Sequence, residues 1–154
     1  MLDGFFGAGG LALRVCESAS RYAGCEIDSK AISSFQRLKK RLRRDTRIHV
    51  IKGDVYALSA VTTAETVILD PPWGGWQVFL GRRYLVSRRM PRFVNLVEKI
   101  IRSGAIVVII LPYHAVIPNK IGKFLIYTSH DIFLNRSVYC RVFAFSLSSA
   151  ISSR

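Results

Sequence analysis

The run Thr66-Val67-Ile68-Leu69 followed by Asp70-Pro71-Pro72-Trp73-Gly74-Gly75 constrains this chain more than any other stretch. A short apolar run that stops at two prolines reads as a buried strand ending abruptly, because proline cannot donate to a ladder. In open α/β sheets, ligands bind outside the carboxyl ends of such strands. The residues at this end suit a flat base bearing an exocyclic amine. Asp70 carries acceptor oxygens, the prolines leave only carbonyl acceptors in the backbone, and Trp73 has a stacking face. Gly74 and Gly75 permit close approach to the backbone. The competing reading is a proline-rich turn beside a core tryptophan.

A second motif weighs against that plainer reading. The chain opens with Met1-Leu2-Asp3-Gly4-Phe5-Phe6-Gly7-Ala8-Gly9-Gly10, and a helical pattern follows through Leu11, Leu13, Val15 and Cys16. A strand end, a glycine-rich turn and a helix N-terminus make a cradle for a nucleotide-like cofactor, with Phe5, Gly7 and Gly9 in the turn. The spacing is not that of a dinucleotide loop. Asp3 would repel phosphates yet accept a bond from an ammonium, which points to S-adenosylmethionine, a cofactor with an amino-acid tail, a sulfonium and no phosphate.

Tyr22 to Asp28 reads as a second strand ending in two acids. Asp28 lies about 20 residues after the glycine loop, the offset at which an acid meets ribose hydroxyls. Asp28 is therefore the first choice for the ribose and Glu26 the second. Asp28 also suits the N-cap of the next helix, and the two roles are compatible. A third strand, Ile48 to Lys52, ends in Gly53-Asp54-Val55. There Asp54 is expected at the adenine amine and the Val55 N–H at the ring.

On these motifs the chain resembles the trimethylguanosine synthase family, the RNA cap guanine-N2 methyltransferases. Asp3 to Gly10 is similar to that family's D-x-F-x-G-x-G-G loop. Glu26-Ile27-Asp28, Gly53-Asp54, Pro71-Pro72-Trp73-Gly74-Gly75, Leu111-Pro112 and Phe133-Leu134-Asn135 follow in the family's order. The order separates it from the adenine-N6 methyltransferases with D-P-P-W, which place that motif upstream of their cofactor loop. The chain departs from the family at Asp70, where serine is common, and at Leu11, where asparagine is. Tyr113 and His114 stand where the family usually has arginine and asparagine. Family catalytic domains also carry a helical N-terminal extension over the cofactor, whereas Met1 here falls inside a truncated first strand. The cover is then absent, supplied by another segment, or missing from the sequence.

The resemblance implies methyl transfer from S-adenosylmethionine to the N2 amine of a 7-methylguanosine cap, in the nucleus and by a monomer, without a metal. Asp70 and the Pro71 carbonyl would hold the amine. Pro72, Trp73, Arg82, Arg83 and Tyr113 would meet the substrate. A cationic 7-methylguanine gains about 0.5–2 kcal/mol over an indole face. Trp76 and Tyr113 are alternative stacking partners, and His114 is a candidate base by position only. Rival functions are methylation of guanine-N2 or adenine-N6 in other RNA, a non-catalytic cap- or RNA-binding module, and protein amide methylation, against which Asp70 and the charge argue.

Composition agrees with one domain over all 154 residues, half of them apolar. Cys16, Cys25 and Cys140 have no metal spacing, and an odd count argues against a disulfide framework. The longest apolar run, Ala105 to Leu111, has the length of a buried strand and not of a membrane span. The formal charge of +13 favours a polyanionic partner. One basic cluster (Arg37, Lys39, Lys40, Arg41, Arg43, Arg44 and Arg47) lies on the helix after Ser29 and reads as a solvated face. A second (Arg82, Arg83, Arg88, Arg89 and Arg92) follows the P-P-W-G-G motif and would neutralise a cap triphosphate.

The expected fold is α/β and Rossmann-like. It has a mostly parallel seven-stranded sheet, with a short strand at the N-terminus and others near 22–27, 47–52, 65–70, 104–111, 123–131 and 137–147. The last two form an antiparallel hairpin turning at Leu134-Asn135-Arg136. Helices are expected over 10–19, 29–44 and 90–103, with a turn near 115–121.

Overall fold

The computed structural model describes residues 1–15, 18–41, 48–58, 61, 63–75, 78, 83–118, 121 and 125–147, the side chains of 125–127 excepted. Its strands are β1 (Leu2–Asp3), β2 (Tyr22–Glu26), β3 (Ile48–Lys52), β4 (Thr66–Leu69), β5 (Tyr84–Leu85), β6 (Ile106–Pro112), β7 (Ala115–Val116), β8 (Leu125–Leu134) and β9 (Ser137–Ser146). The helices are α1 (Ala12–Val15), α2 (Ser29–Arg41), α3 (Val86–Arg89) and α4 (Pro91–Arg102).

Seven strands make one sheet in the order β3-β2-β1-β4-β6-β9-β8. The first five run parallel, and β9 is antiparallel to both β6 and β8. That is the expected mostly parallel sheet with a closing hairpin. The hairpin turns on Asn135 and Arg136, both at positive φ. Its ladder carries an irregularity: Ile132 faces Cys140 and Phe133 faces Val138, so β9 holds one extra residue, Tyr139, as a bulge.

Residues alternate along β2 between two cores, as a strand's period of two requires. Tyr22 packs with Phe6, Ala12, Phe35 and Ile48 on one face. Ala23 and Cys25 join the larger cluster on the other face, which includes Val67, Leu69, Val107 and Ile109. Twelve residues make a marginal helix in isolation. Packing holds α4: Phe93, Val94, Leu96, Val97, Ile100 and Ile101 are buried, each worth about 1.5–3 kcal/mol over exposure. Pro91 stands at the start of α4, where its missing N–H costs nothing.

Three elements depart from the sequence reading. The expected helix over 10–19 is α-helical only at Ala12–Val15 among the described residues. The arginine-rich stretch before α4 contains β5 and α3, and the expected turn at 115–121 begins with β7. β5 and β7 pair in parallel, Tyr84 with Ala115 and Leu85 with Val116. Two-residue strands lack the length for a periodic pattern, so only the tertiary pairing reveals them.

Candidate active site

A cavity of about 520 Å³ opens at the carboxyl rim of β1, β2, β3 and β4. Gly4, Phe5 and Gly7 reach it from the loop after β1, Glu26 and Ile27 from the end of β2, Asp54, Val55 and Tyr56 from the turn after β3. Asp70 and Pro72 line it from beyond β4, and Arg92 from α4. Parallel strands bring these loops to one rim, which is why motifs far apart in sequence meet here.

Glu26 ties the rim together. Its Oε2 accepts the Gly7 N–H at 2.7 Å and its Oε1 accepts the Asp28 N–H at 2.7 Å. Asp28, the first choice for a ribose contact, is exposed, and its Oδ1 accepts the Lys30 N–H at 2.8 Å as the N-cap of α2. Of the two, the second choice, Glu26, is the one on the cavity wall.

Asp3 is buried rather than presented to a ligand. Its Oδ1 accepts the Phe5 N–H at 3.3 Å and its Oδ2 accepts the Tyr22 hydroxyl at 3.0 Å, so it braces the loop from behind. Burial raises its carboxyl from 3.8 to about 6, against the lowering effect of those two donors. Asp70 is open to the cleft but enclosed on its protein side. That enclosure, with the Asp3 carboxylate as a lesser cause, raises it to about 6 as well. Gly9 also faces inward: at φ +76°, a Cβ there would lie 2.3 Å from the Phe35 ring. Phe6 and Phe35 pack edge to face at 4.7 Å under it, so Gly9 shapes the loop without lining the cavity.

At the other end, Asp54 Oδ1 accepts the Tyr56 N–H at 3.0 Å, and Oδ2 pairs with Arg92 at 3.4 Å. The Arg92 guanidinium sits 4.4 Å from the centre of the Tyr56 ring. Arg92 therefore leaves the expected phosphate cluster and closes the Asp54 end of the cavity. Tyr56 escaped the sequence reading although it stands two residues after Asp54. Nothing local pairs Arg92 with an acid 38 positions away.

Pro71 is buried, and Pro72 lines the cavity. Trp73 lies on the side toward β6: its indole N–H donates to the Ile110 carbonyl at 3.2 Å, and its ring centre is 5.6 Å from that of Tyr139. Arg83, Arg88 and Arg89 line a separate cleft of about 480 Å³ with Leu85. The β5–β7 ladder, with the Tyr84 N–H on the His114 carbonyl, clips this segment to the loop after β6. Tyr113 is exposed there. His114, the candidate base by position, is half-buried with its ring against Tyr113 and Tyr84. Arg82 and Trp76 lie outside the described residues. So do Arg43, Arg44 and Arg47 of the first cluster. Arg37, Lys40 and Arg41 are exposed at the carboxyl end of α2, which runs back from the rim. Cys25 and Cys140 are buried free thiols. No helix among the described residues is long and apolar enough to cross a membrane.

The wall chemistry fits S-adenosylmethionine. Phe5, Ile27, Val55 and Tyr56 give apolar surface, while Glu26, Asp54 and Asp70 give acceptors for hydroxyl, amine and ammonium groups. Among the described residues, the one arginine on the wall already pairs with Asp54, as suits a nucleoside without phosphates.

Solved structures share the fold. A conserved hypothetical protein of Streptococcus pyogenes superposes with a TM-score of 0.66 at 19% identity, over 97% of this chain and 86% of its own. An rRNA methylase from Streptococcus thermophilus gives 0.62 at 12% identity, over 96% and 87%. Magnesium protoporphyrin IX methyltransferase from Synechocystis PCC 6803, with bound S-adenosylmethionine, gives 0.63 at 14% identity, over 94% and 68%. No curated protein matches the sequence significantly. The architecture is that of Rossmann-like class I methyltransferases, and S-adenosylmethionine is the cofactor. The family model for RNA cap guanine-N2 methyltransferases matches residues 1–145. With 145 of its 154 residues matched, the chain belongs to the RNA cap guanine-N2 methyltransferase family.

Proposed function

We propose that this methyltransferase acts on the N2 exocyclic amine of the 7-methylguanosine cap of RNA, as a monomer and in the nucleus. One observation carries the reading. The Asp70 to Trp73 segment runs from the cofactor cavity, lined by Asp70 and Pro72, directly to an indole braced on β6. A base stacked near Trp73 then brings its amine to the cofactor side of β4.

S-adenosylmethionine, when bound, supplies a methyl group activated by its sulfonium. The chain's own residues do the rest. Glu26 and Asp54 hold the sugar and adenine ends, and Gly7 admits the ligand close to the loop. Asp70 and the Pro71 carbonyl accept from the amine and aim its lone pair. Such positioning is worth on the order of 7–11 kcal/mol for a well-oriented pair. With its pKa near 6, Asp70 is mostly ionised at neutral pH and can accept the amine's hydrogen. Arg83, Arg88 and Arg89 supply guanidinium groups for a triphosphate.

Asp70 in place of the family's serine favours a second reading, an amine in uncapped RNA. Transfer of labelled methyl to a cap dinucleotide and to uncapped RNA, with product masses, decides between them. Labelling of the cap dinucleotide with a gain of one or two methyls supports the proposal, and labelling of uncapped RNA alone overturns it.

A further inference from the structure

The β8–β9 hairpin leaves apolar surface exposed to solvent. Ile132 is 46% exposed, Phe133 63%, Leu134 58% and Tyr139 39%. Three consecutive exposed apolar residues at the end of an edge strand are a hazard unless they have an occupant.

Pro112 at the carboxyl end of β6 faces Cys140, so residues 137–139 of β9 run past the rim. Three residues at the strand rise carry the hairpin about 10 Å beyond it. The tip therefore stands on the same rim as the cofactor cavity and beside the substrate side of β4. The bulge makes the link, since bulges re-aim side chains next to functional sites. Tyr139 is the extra residue, and its ring meets Trp73 at 5.6 Å. The apolar tip is thus continuous with the Trp73 platform. Arg136 stands exposed in the turn, in a chain of formal charge +13.

We infer that the tip of the β8–β9 hairpin, with Phe133, Leu134 and Tyr139, binds the nucleotides that follow the target base in the RNA chain. Aromatic and apolar side chains beside positive charge are how proteins hold single-stranded nucleic acid without reading its sequence, by base stacking and phosphate attraction. This inference rests on RNA as the substrate and not on the cap itself.

The test compares wild type with a double variant carrying Phe133→Ser and Leu134→Ser, both exposed, using fluorescence anisotropy. The probes are an N7-methylguanosine cap dinucleotide and ten-nucleotide single-stranded RNAs with and without that cap. Wild type is expected to bind the capped decamer more tightly than the dinucleotide. The double variant is expected to lose about tenfold on the decamers, with dinucleotide and cofactor affinities within about twofold of wild type. Decamer binding equal to wild type overturns the inference. If wild type ignores the cap but the variant still loses decamer binding, the cap reading fails and the hairpin surface stands. If sedimentation shows a wild-type dimer that the variant abolishes while RNA affinity is unchanged, a second copy is the occupant and the inference falls.

Discussion

Trp73 donates its indole N–H to the carbonyl of Ile110 at 3.2 Å, fastening the loop after β4 to the neighbouring strand β6. The tryptophan is therefore structural, beside the stacking role proposed for it. Trp73→Phe keeps a ring but removes the donor, which costs about 0.5–1.5 kcal/mol and lowers the melting temperature by about 2–4 °C per kcal/mol. Trp73→Ala also loses the contact with Tyr139 and is expected to melt lower still. In calorimetric titration it should bind the cap dinucleotide far more weakly, with cofactor affinity little changed. Unaltered cap affinity in Trp73→Ala would sink the stacking role.

Asp70 has opposite effects on stability and on activity. Its folded-state pKa of about 6 exceeds the ordinary 3.8. Its protonated form is favoured by folding, so that contribution is complete below about pH 4 and is lost as pH rises through about 6. Asp70→Asn is thus expected to melt above wild type at pH 7.5, with the gap closing toward pH 4. Its rate should fall on the order of 10- to 150-fold, the worth of a hydrogen bond to a charged group. Wild-type kcat should climb through pH 6, and the variant should lack that limb. A variant profile with the same limb assigns the titration to another group.

Two glycines of one loop should respond differently to alanine. Gly9→Ala places a Cβ 2.3 Å from the Phe35 ring at φ +76°. Left-handed backbone and overpacking together imply a loss of about 2–5 kcal/mol in urea unfolding. Gly7→Ala meets no atom within 4 Å and bears only the strain of φ +56°, about 1–2 kcal/mol. Gly7 lines the cavity, so its variant should show the larger loss of cofactor affinity among folded molecules.

The arginines divide by partner. Arg92→Ala removes the pair with Asp54 and the cover on Tyr56, and should change cofactor affinity while leaving the salt dependence of RNA binding alone. Arg88→Ala should leave the cofactor alone and reduce the slope of log affinity against log salt by about one. The reverse pattern would return Arg92 to the phosphate cluster.

Much of the site was legible in the chain because its signals are local. The glycine loop, the Glu26 to Asp28 strand end, Gly53-Asp54 and the two prolines each mark a strand's carboxyl end. A parallel sheet brings such ends together whatever the intervening sequence. Phe5, Gly7, Glu26, Asp54, Val55, Asp70 and Pro72 accordingly line one cavity. The division of labour among the acids was not legible. Asp3 and Asp28 have the right spacing; the first turns inward to Tyr22, and the second caps α2 while staying exposed, which is compatible with a ribose contact. Spacing locates a residue on a loop and does not choose which way its carboxylate points.

By itself the sequence determined the succession of strands along the chain: apolar runs of strand length, glycine and proline stops, and a tight Asn135-Arg136 turn. Local backbone sterics and side-chain period set these within a few residues. Only the tertiary structure decided that Arg92 meets Asp54, that β5 and β7 clip the arginines to the rim, and that Tyr139 bulges onto Trp73. Each of these joins residues more than 25 positions apart, where the contact depends on how packed layers settle and no local pattern records it.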